Sequence, residues 1–234
     1  MYVAEIWRYP VKSMAGEPLQ SAWVSEDGVA GDRRVLVYDE HTRRLITSRT
    51  HPKLLRLKAT LDEHGQVFVN GLPWDHPDSE QAVIRAAGDH ARLIEWDGLE
   101  RFDVLPLLVA TDGAISAFGH DRRRLRPNIV IGGVEGMAER EFPGRRVHIG
   151  EAVIEFAQLR QRCVMTTYDP DTQEQNHKVL RQIVRQFGGA LALDTDIIHS
   201  GQIAVGDRVE FADDLVENSE QAVTVMDSDI VPEG

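Results

Sequence analysis

Every β-favouring run in the first part of this chain is short and ends in a turn. Residues 3–7, 19–24, 34–38, 54–61 and 66–69 are such runs, separated by Gly, Asp, Pro and Asn. His64-Gly65 and Asn70-Gly71 are natural reversals between strands. Residues 79–86 and 91–95 continue the β-rich part less clearly, and a first subdomain is expected to end at Gly88. Residues 89–212 then alternate strand and helix signals. Strands are expected at 128–131, 145–149, 152–158, 191–193 and 202–211, the last turning at Gly206-Asp207. A helix over 112–118, capped by Thr111 or Asp112, should stop near Gly119. A second over 176–187 places Val179, Leu180, Ile183, Val184 and Phe187 on one face and stops at Gly188-Gly189. The expected fold class is mainly β with helices (α+β): a β-barrel-like subdomain, residues 1–88, then a second β-barrel domain, residues 89–212.

The 234 residues, 42% hydrophobic and 27% charged, suffice for a buried core of the ordinary globular kind. The net charge is −12, and residues 213–234 hold seven of the acids and no Lys or Arg, so that stretch is expected to be a flexible, solvated tail. An acidic chain is poorly suited to nucleic acid, which rewards excess positive charge. The apolar runs are too short to cross a bilayer, and the first residues lack a basic segment followed by an apolar signal core. The expectation is a cytoplasmic protein with neither a membrane nor a nucleic-acid partner. The single cysteine excludes an internal disulfide and an all-cysteine zinc or iron–sulfur site within one chain. GxSxG, Walker, GxGxxG and HExxH patterns are absent, which leaves serine hydrolase, nucleotide hydrolase and dinucleotide oxidoreductase readings without support.

Four segments set reactive groups into apolar context. In Tyr9-Pro10-Val11-Lys12-Ser13, proline leads a strand into a defined turn and places a cation beside a hydroxyl, a pair that suits phosphate; a strand end with a solvated lysine is the plainer alternative. Gly31-Asp32-Arg33-Arg34, followed by Thr47-Ser48-Arg49, offers guanidinium forks; a surface turn with an ion pair is the plainer alternative. Arg126-Pro127-Asn128 brackets a proline with a charge and a two-way amide, either a heterocycle contact or a simple connection into a strand. Gln161-Arg162-Cys163 ends a strand with a cation next to the thiol. A neighbouring cation favours thiolate, the form that binds soft metals, although most lone cysteines are small buried hydrophobes. In the Asp169-Pro170-Asp171 stretch that follows, Asp169 is read as part of a turn and not as an acid–base group.

Taken in order, Y-P-V-K-S, G-D-R, R-P-N-I-V-I and R-C-x-x-T-T-x-D-P-D-T resemble the MOSC family over nearly all of the chain before the acidic tail. The branch resembled carries an extra N-terminal β-barrel domain and includes the mitochondrial amidoxime-reducing components and bacterial YcbX-type proteins. The resemblance implies a molybdenum–molybdopterin cofactor whose metal is bound by Cys163, which is then also the catalytic residue. It implies cofactor contacts from Lys12, Ser13, Arg33, Arg126, Asn128, Gln161 and Arg162, with Thr111 a weaker match. Pyridoxal phosphate binding is also attributed to the family as a whole. The implied activity is reduction of small N-hydroxylated compounds to amidines or amines, with electrons from a separate flavin, haem or iron–sulfur protein. A sulfur carrier or cofactor-delivery protein using a Cys163 persulfide is the alternative, and a bare anion-binding module a third reading.

Overall fold

The computed structural model describes residues 1–212; the expected acidic tail lies outside them. As the turn-rich sequence implies, the architecture is mainly β, with three α-helices among the described residues. Eight strands form one sheet, in the order Val209–Phe211, Arg146–Ile149, Ala152–Gln161, Ala190–His199, Leu107–Thr111, Ile129–Gly132, Tyr2–Arg8, Glu17–Leu19. The sheet closes on itself: the Val209 amide donates to the Met1 carbonyl (3.0 Å) and the Val3 amide to the Asp207 carbonyl (2.9 Å). Closure pairs the edge of the Val209–Phe211 strand with the start of the Tyr2–Arg8 strand and leaves an interior filled by Val3, Ile6, Val109, Ile129, Ile131, Ile149, Ile154, Phe156 and Leu193. Among the described residues the only parallel pair in this sheet is Leu107–Thr111 beside Ile129–Gly132, joined by a crossover through the helix Asp112–Phe118.

A second core, built on Val11, Met14, Val35, Val37, Leu54, Val69, Val83 and Ala91, lies between two smaller three-stranded sheets and the helix Pro77–Ala87. The chain crosses between the two cores early. Its first strand belongs to the large barrel, and Val11 and Met14, a few residues later, belong to the second core.

Several elements depart from the sequence expectation. Residues 54–61 are not one strand: Pro52 starts a 3-10 turn over Pro52–Arg56, and only Ala59–Leu61 is extended. Leu54 and Leu55 are both buried, which adjacent residues of a half-exposed strand cannot be. Residues 79–86 are helical, because Pro77 occupies the first turn and the His76 ring accepts from the Asp78 amide at 3.1 Å. The strand Leu107–Thr111 was hidden in an apolar run begun by a proline. In the helix His177–Phe187 the buried stripe is Val179, Ile183 and Phe187, whereas Val184 is 57% exposed. Its ends follow the expected chemistry: Asn176 caps the Lys178 amide at 3.0 Å and Gly188 takes a left-handed φ of 63°. Among the described residues no helix is long and apolar enough to cross a membrane.

Candidate functional site

The seam between the two cores holds a cavity of about 750 Å3, its open mouth included. Its walls come from widely separated stretches: Lys12, Ser13, Arg33 and Thr47–Arg49 from one side, and Leu108, Arg124–Arg126, Arg160–Cys163, Met165 and Asp194 from the other. Seven lining residues are cationic (Lys12, Arg33, Arg49, Arg124, Arg126, Arg160 and Arg162) against two acids, Asp103 and Asp194. A surplus of positive charge in one cleft of a chain with net charge −12 is an arrangement for an anion.

Backbone bonds explain how the first two segments meet. The Tyr9 amide donates to Asp32 Oδ1 (2.6 Å), the Arg33 amide to the Tyr9 carbonyl (2.9 Å) and the Lys12 amide to the Val35 carbonyl (2.9 Å). Y-P-V-K-S and G-D-R are thus laid side by side, with the buried Asp32 between them. Asp32 also pairs with the Arg33 guanidinium. The turns that aim these residues are strained: Ser13, Arg33 and Arg126 have φ of 75°, 52° and 56°, in the left-handed region that favours glycine. Three non-glycine residues in that region around one cavity is the pattern expected where backbone strain serves a site.

The cations are held by few opposing charges. Asp103 bridges Lys12 (3.2 Å), Arg49 (3.0 Å) and Arg160 (3.3 Å), and Asp194 takes Arg160 at 2.8 Å. Burial raises the Asp103 pKa, but Lys12 and then Arg49 outweigh it and hold the carboxyl below the usual carboxylate range. Burial lowers the Lys12 pKa despite Asp103. Arg126 stacks 4.3 Å over the Tyr9 ring, donates to the Met14 carbonyl at 2.7 Å, and is also lowered by burial. Burial, and next the neighbouring Arg160, push Arg162 down to about 10. Arg162 donates to the Leu125 carbonyl at 2.7 Å, but its Nε is buried with no partner.

Cys163 stands at the end of the strand Ala152–Gln161, where the chain turns into the 3-10 segment Val164–Thr167. Its carbonyl accepts from the Thr166 amide (3.2 Å) and hydroxyl (2.9 Å), which fixes the backbone while the thiol lines the cavity. Arg49 lies beside that sulfur. Burial opposes the Arg49 charge, yet Asp103 and then Cys163 hold its pKa above the ordinary arginine value.

The structure brings Lys12, Ser13, Arg33, Arg126, Gln161, Arg162 and Cys163 to one cavity. It does not bring Asn128 or Thr111 there. Asn128 is fully buried, and its amide donates to the Trp7 carbonyl (3.3 Å) and Asp32 (3.3 Å) while accepting from the Leu108 amide (3.2 Å). Thr111, also buried, caps the helix Asp112–Phe118 through the Ala114 amide and donates to Glu139 at 2.9 Å. Asp169 accepts from the Asp171 and Thr172 amides, both at 3.0 Å, as a turn residue does. Asp103, Arg124, Arg160 and Met165 line the cavity without having been assigned from sequence. Arg160 was findable from the assigned Arg162, since alternate residues of an extended chain share a face; Asp103 lies in no motif. Among the described residues no three His, Cys, Asp or Glu side chains gather as a metal cage.

Two family profiles match the chain: "MOSC N-terminal beta barrel domain" over residues 1–97 and "MOSC domain" over residues 114–210. The mitochondrial amidoxime reducing component 2 of Macaca fascicularis is 24% identical, covering 73% of this chain and 67% of that protein. Mitochondrial amidoxime-reducing component 1 of Homo sapiens is 23% identical, covering 79% of this chain and 71% of its own. The crystal structure of the YuaD protein from Bacillus subtilis aligns at a TM-score of 0.49 and 12% identity, covering 90% of this chain and 94% of that one.

Proposed function

Because this chain belongs to the MOSC-domain family and carries both its N-terminal β-barrel domain and the MOSC domain, we propose that it is a molybdenum-cofactor-dependent oxidoreductase acting on N-hydroxylated compounds. The observation that carries the reading is the meeting of Cys163, the only thiol, with Lys12, Ser13, Arg33, Arg126 and Arg162 in one cationic cavity. The residues present fit a pterin cofactor with a phosphate arm. The cations and the Ser13 hydroxyl suit the phosphate, and the orphaned Arg162 Nε asks for an acceptor that a ligand would bring. Lys12, Ser13, Arg33, Arg126 and Arg162 would hold the group, with Gln161 at its edge and Cys163 as the protein's ligand to the metal. With no cage of protein ligands among the described residues, a metal here would take further sulfur and oxygen donors from its own cofactor. The bound cofactor supplies the two-electron chemistry; the protein orients it, balances its charge and shields it.

For an amidoxime the net change is RC(NOH)NH2 plus two electrons and two protons giving RC(NH)NH2 and water. The N–O bond breaks and its oxygen leaves as water. The electrons would come from a separate flavin, haem or iron–sulfur protein. Asn128 and Thr111 act behind the cavity wall in this reading, by fixing the strands that carry its residues.

Metal analysis tests the reading. Protein made in a host that synthesises the cofactor should carry equimolar molybdenum, and Cys163→Ser should carry almost none. Full occupancy in that variant, or none in the wild type, contradicts it. The position of Arg49 beside the thiol also suits a persulfide on a sulfur carrier. Labelling of a persulfide on Cys163 after exposure to a cysteine desulfurase, in protein devoid of molybdenum, would favour that second reading.

A further inference from the structure

A second cavity lies against the first. It encloses about 1050 Å3, its open mouth included, and the two share Arg124, Arg126 and Met165. Its character is different. Tyr9, Leu55, Tyr168 and Pro170 give it rings and aliphatic surface, and Arg56 and Arg123 add charge. Two of its four arginines are already neutralised: Arg123 by Asp121 (2.6 Å) and Asp171 (2.7 Å), and Arg124 by Asp169 (2.9 Å). The other two are not. Arg56 donates to the Gln173 side chain and to the Thr172 carbonyl (3.2 Å). Arg126 spends its charge on a carbonyl and on the Tyr9 ring. Carbonyls, amides and rings satisfy N–H donors without cancelling a charge. Among the described residues Asp171 is the only acid in the wall, and Arg123 already holds it. The result is a partly apolar cavity with positive charge that no ion pair takes up, side by side with the Cys163 cavity.

The arrangement also has a direction. Arg126 and Met165 belong to both cavities, whereas Arg56, which is exposed, lines the second alone. A ligand whose reacting end reaches the shared wall extends among the residues that line the second cavity alone, and Arg56 is the cation there that no acid holds.

We propose that the second cavity holds the body of the substrate and selects planar N-hydroxylated compounds that carry an anionic group at the end remote from the N–OH. The ring lies among Tyr168, Leu55 and Met165, and the anion meets Arg56, with Arg126 adding to the field from the shared wall. This assignment rests on the reductase reading for the chemistry, but not for the binding, which the cavity supports with or without a metal.

Calorimetric titration of the cofactor-loaded protein with 4-carboxybenzamidoxime, and with neutral benzamidoxime as the parent, tests it. A charge-assisted contact in a partly apolar site predicts that the acid binds about tenfold more tightly than the parent. Arg56→Gln, at an exposed position outside the Cys163 cavity, should bring the two ligands to within about twofold while molybdenum content stays unchanged. The kcat/KM preference for the acid should fall in parallel. Equal affinities in the wild type, or a preference untouched by Arg56→Gln, would overturn the proposal. The same titration on cofactor-free protein separates the two readings. Acid preference retained in protein that never acquires molybdenum would sink the reductase reading and leave the cavity assignment standing. Acid binding that disappears on cofactor loading would show that the cavity belongs to the cofactor, and overturn the assignment itself.

Discussion

Asn128 donates from Nδ2 to Asp32 Oδ2 at 3.3 Å, so two motifs 96 residues apart in sequence are joined behind the cavity and not within it. The same amide donates to the Trp7 carbonyl and accepts from the Leu108 amide. Through it the first strand of the barrel, the strand Leu107–Thr111 and the Gly31-Asp32-Arg33 turn are pinned to one side chain. Asn128→Ala leaves a buried N–H and a buried carboxylate short of partners. The expected loss is about 2–3 kcal/mol of stability, read as a lower urea midpoint at unchanged slope. Molybdenum retention should fall with it, and an unchanged midpoint would remove Asn128 from this role.

Asp103 gives a pH dependence with a defined sign. Lys12 and Arg49 hold its pKa below the ordinary value against the effect of burial, so the folded state favours the ionised form. Its contribution is complete above the unfolded carboxyl pKa and is lost as the pH falls through the lower folded value, a window below about pH 4. The side chain is 37% exposed, so solvent screening limits the effect to about 1 kcal/mol. Asp103→Asn should melt a few degrees lower at neutral pH, with the gap closing in acid. A gap that persists at low pH would assign the effect to packing.

The contrast between Asn128 and Cys163 marks what could be read without coordinates. Residue type made both candidates, and short apolar runs with Pro and Gly implied a β-rich fold because they act locally. Only the resemblance to the MOSC family assigned either residue to a cofactor site. Whether a polar side chain faces a cavity or a neighbouring strand is decided by partners far along the chain. For Asn128 those partners are Trp7, Asp32 and Leu108, and nothing near residue 128 announces them. Asp103 was invisible for the same reason, since its meaning comes from Lys12, Arg49 and Arg160. The helix Pro77–Ala87 was missed for a different one: its cap is a histidine ring, not one of the usual Ser, Thr, Asp or Asn signals.

Ser13 sets fold stability against site chemistry. Its φ of 75° costs a non-glycine residue about 1 kcal/mol or more. Ser13→Gly relieves that strain, although glycine gains freedom in the unfolded chain, so the net gain should be at most about 1 kcal/mol. The same change deletes the hydroxyl from the cavity. The expected variant melts at or slightly above the wild-type temperature but holds less molybdenum after dialysis. Lower stability combined with full metal retention would contradict both halves of this argument.

Arg162 predicts how the cavity of cofactor-free protein responds to anions. Its Nε is buried without a partner, and burial and Arg160 weaken its hold on the proton, so the unliganded protein carries an unfavourable charge there. An anion reaching it satisfies the donor and offsets the charge, and a ligand that binds only the folded state raises the melting temperature with its concentration. Inorganic pyrophosphate should therefore stabilise cofactor-free protein at low ionic strength, and added chloride should weaken the effect. Arg162→Met removes the orphaned donor and keeps most of the side-chain volume. Losing the bond to the Leu125 carbonyl offsets the relief of the buried charge, so the variant should melt within a few degrees of the wild type without ligand. It should nevertheless lose most of the pyrophosphate shift. A shift that survives Arg162→Met intact, measured by calorimetry across a pyrophosphate series, would place the anion elsewhere on the surface.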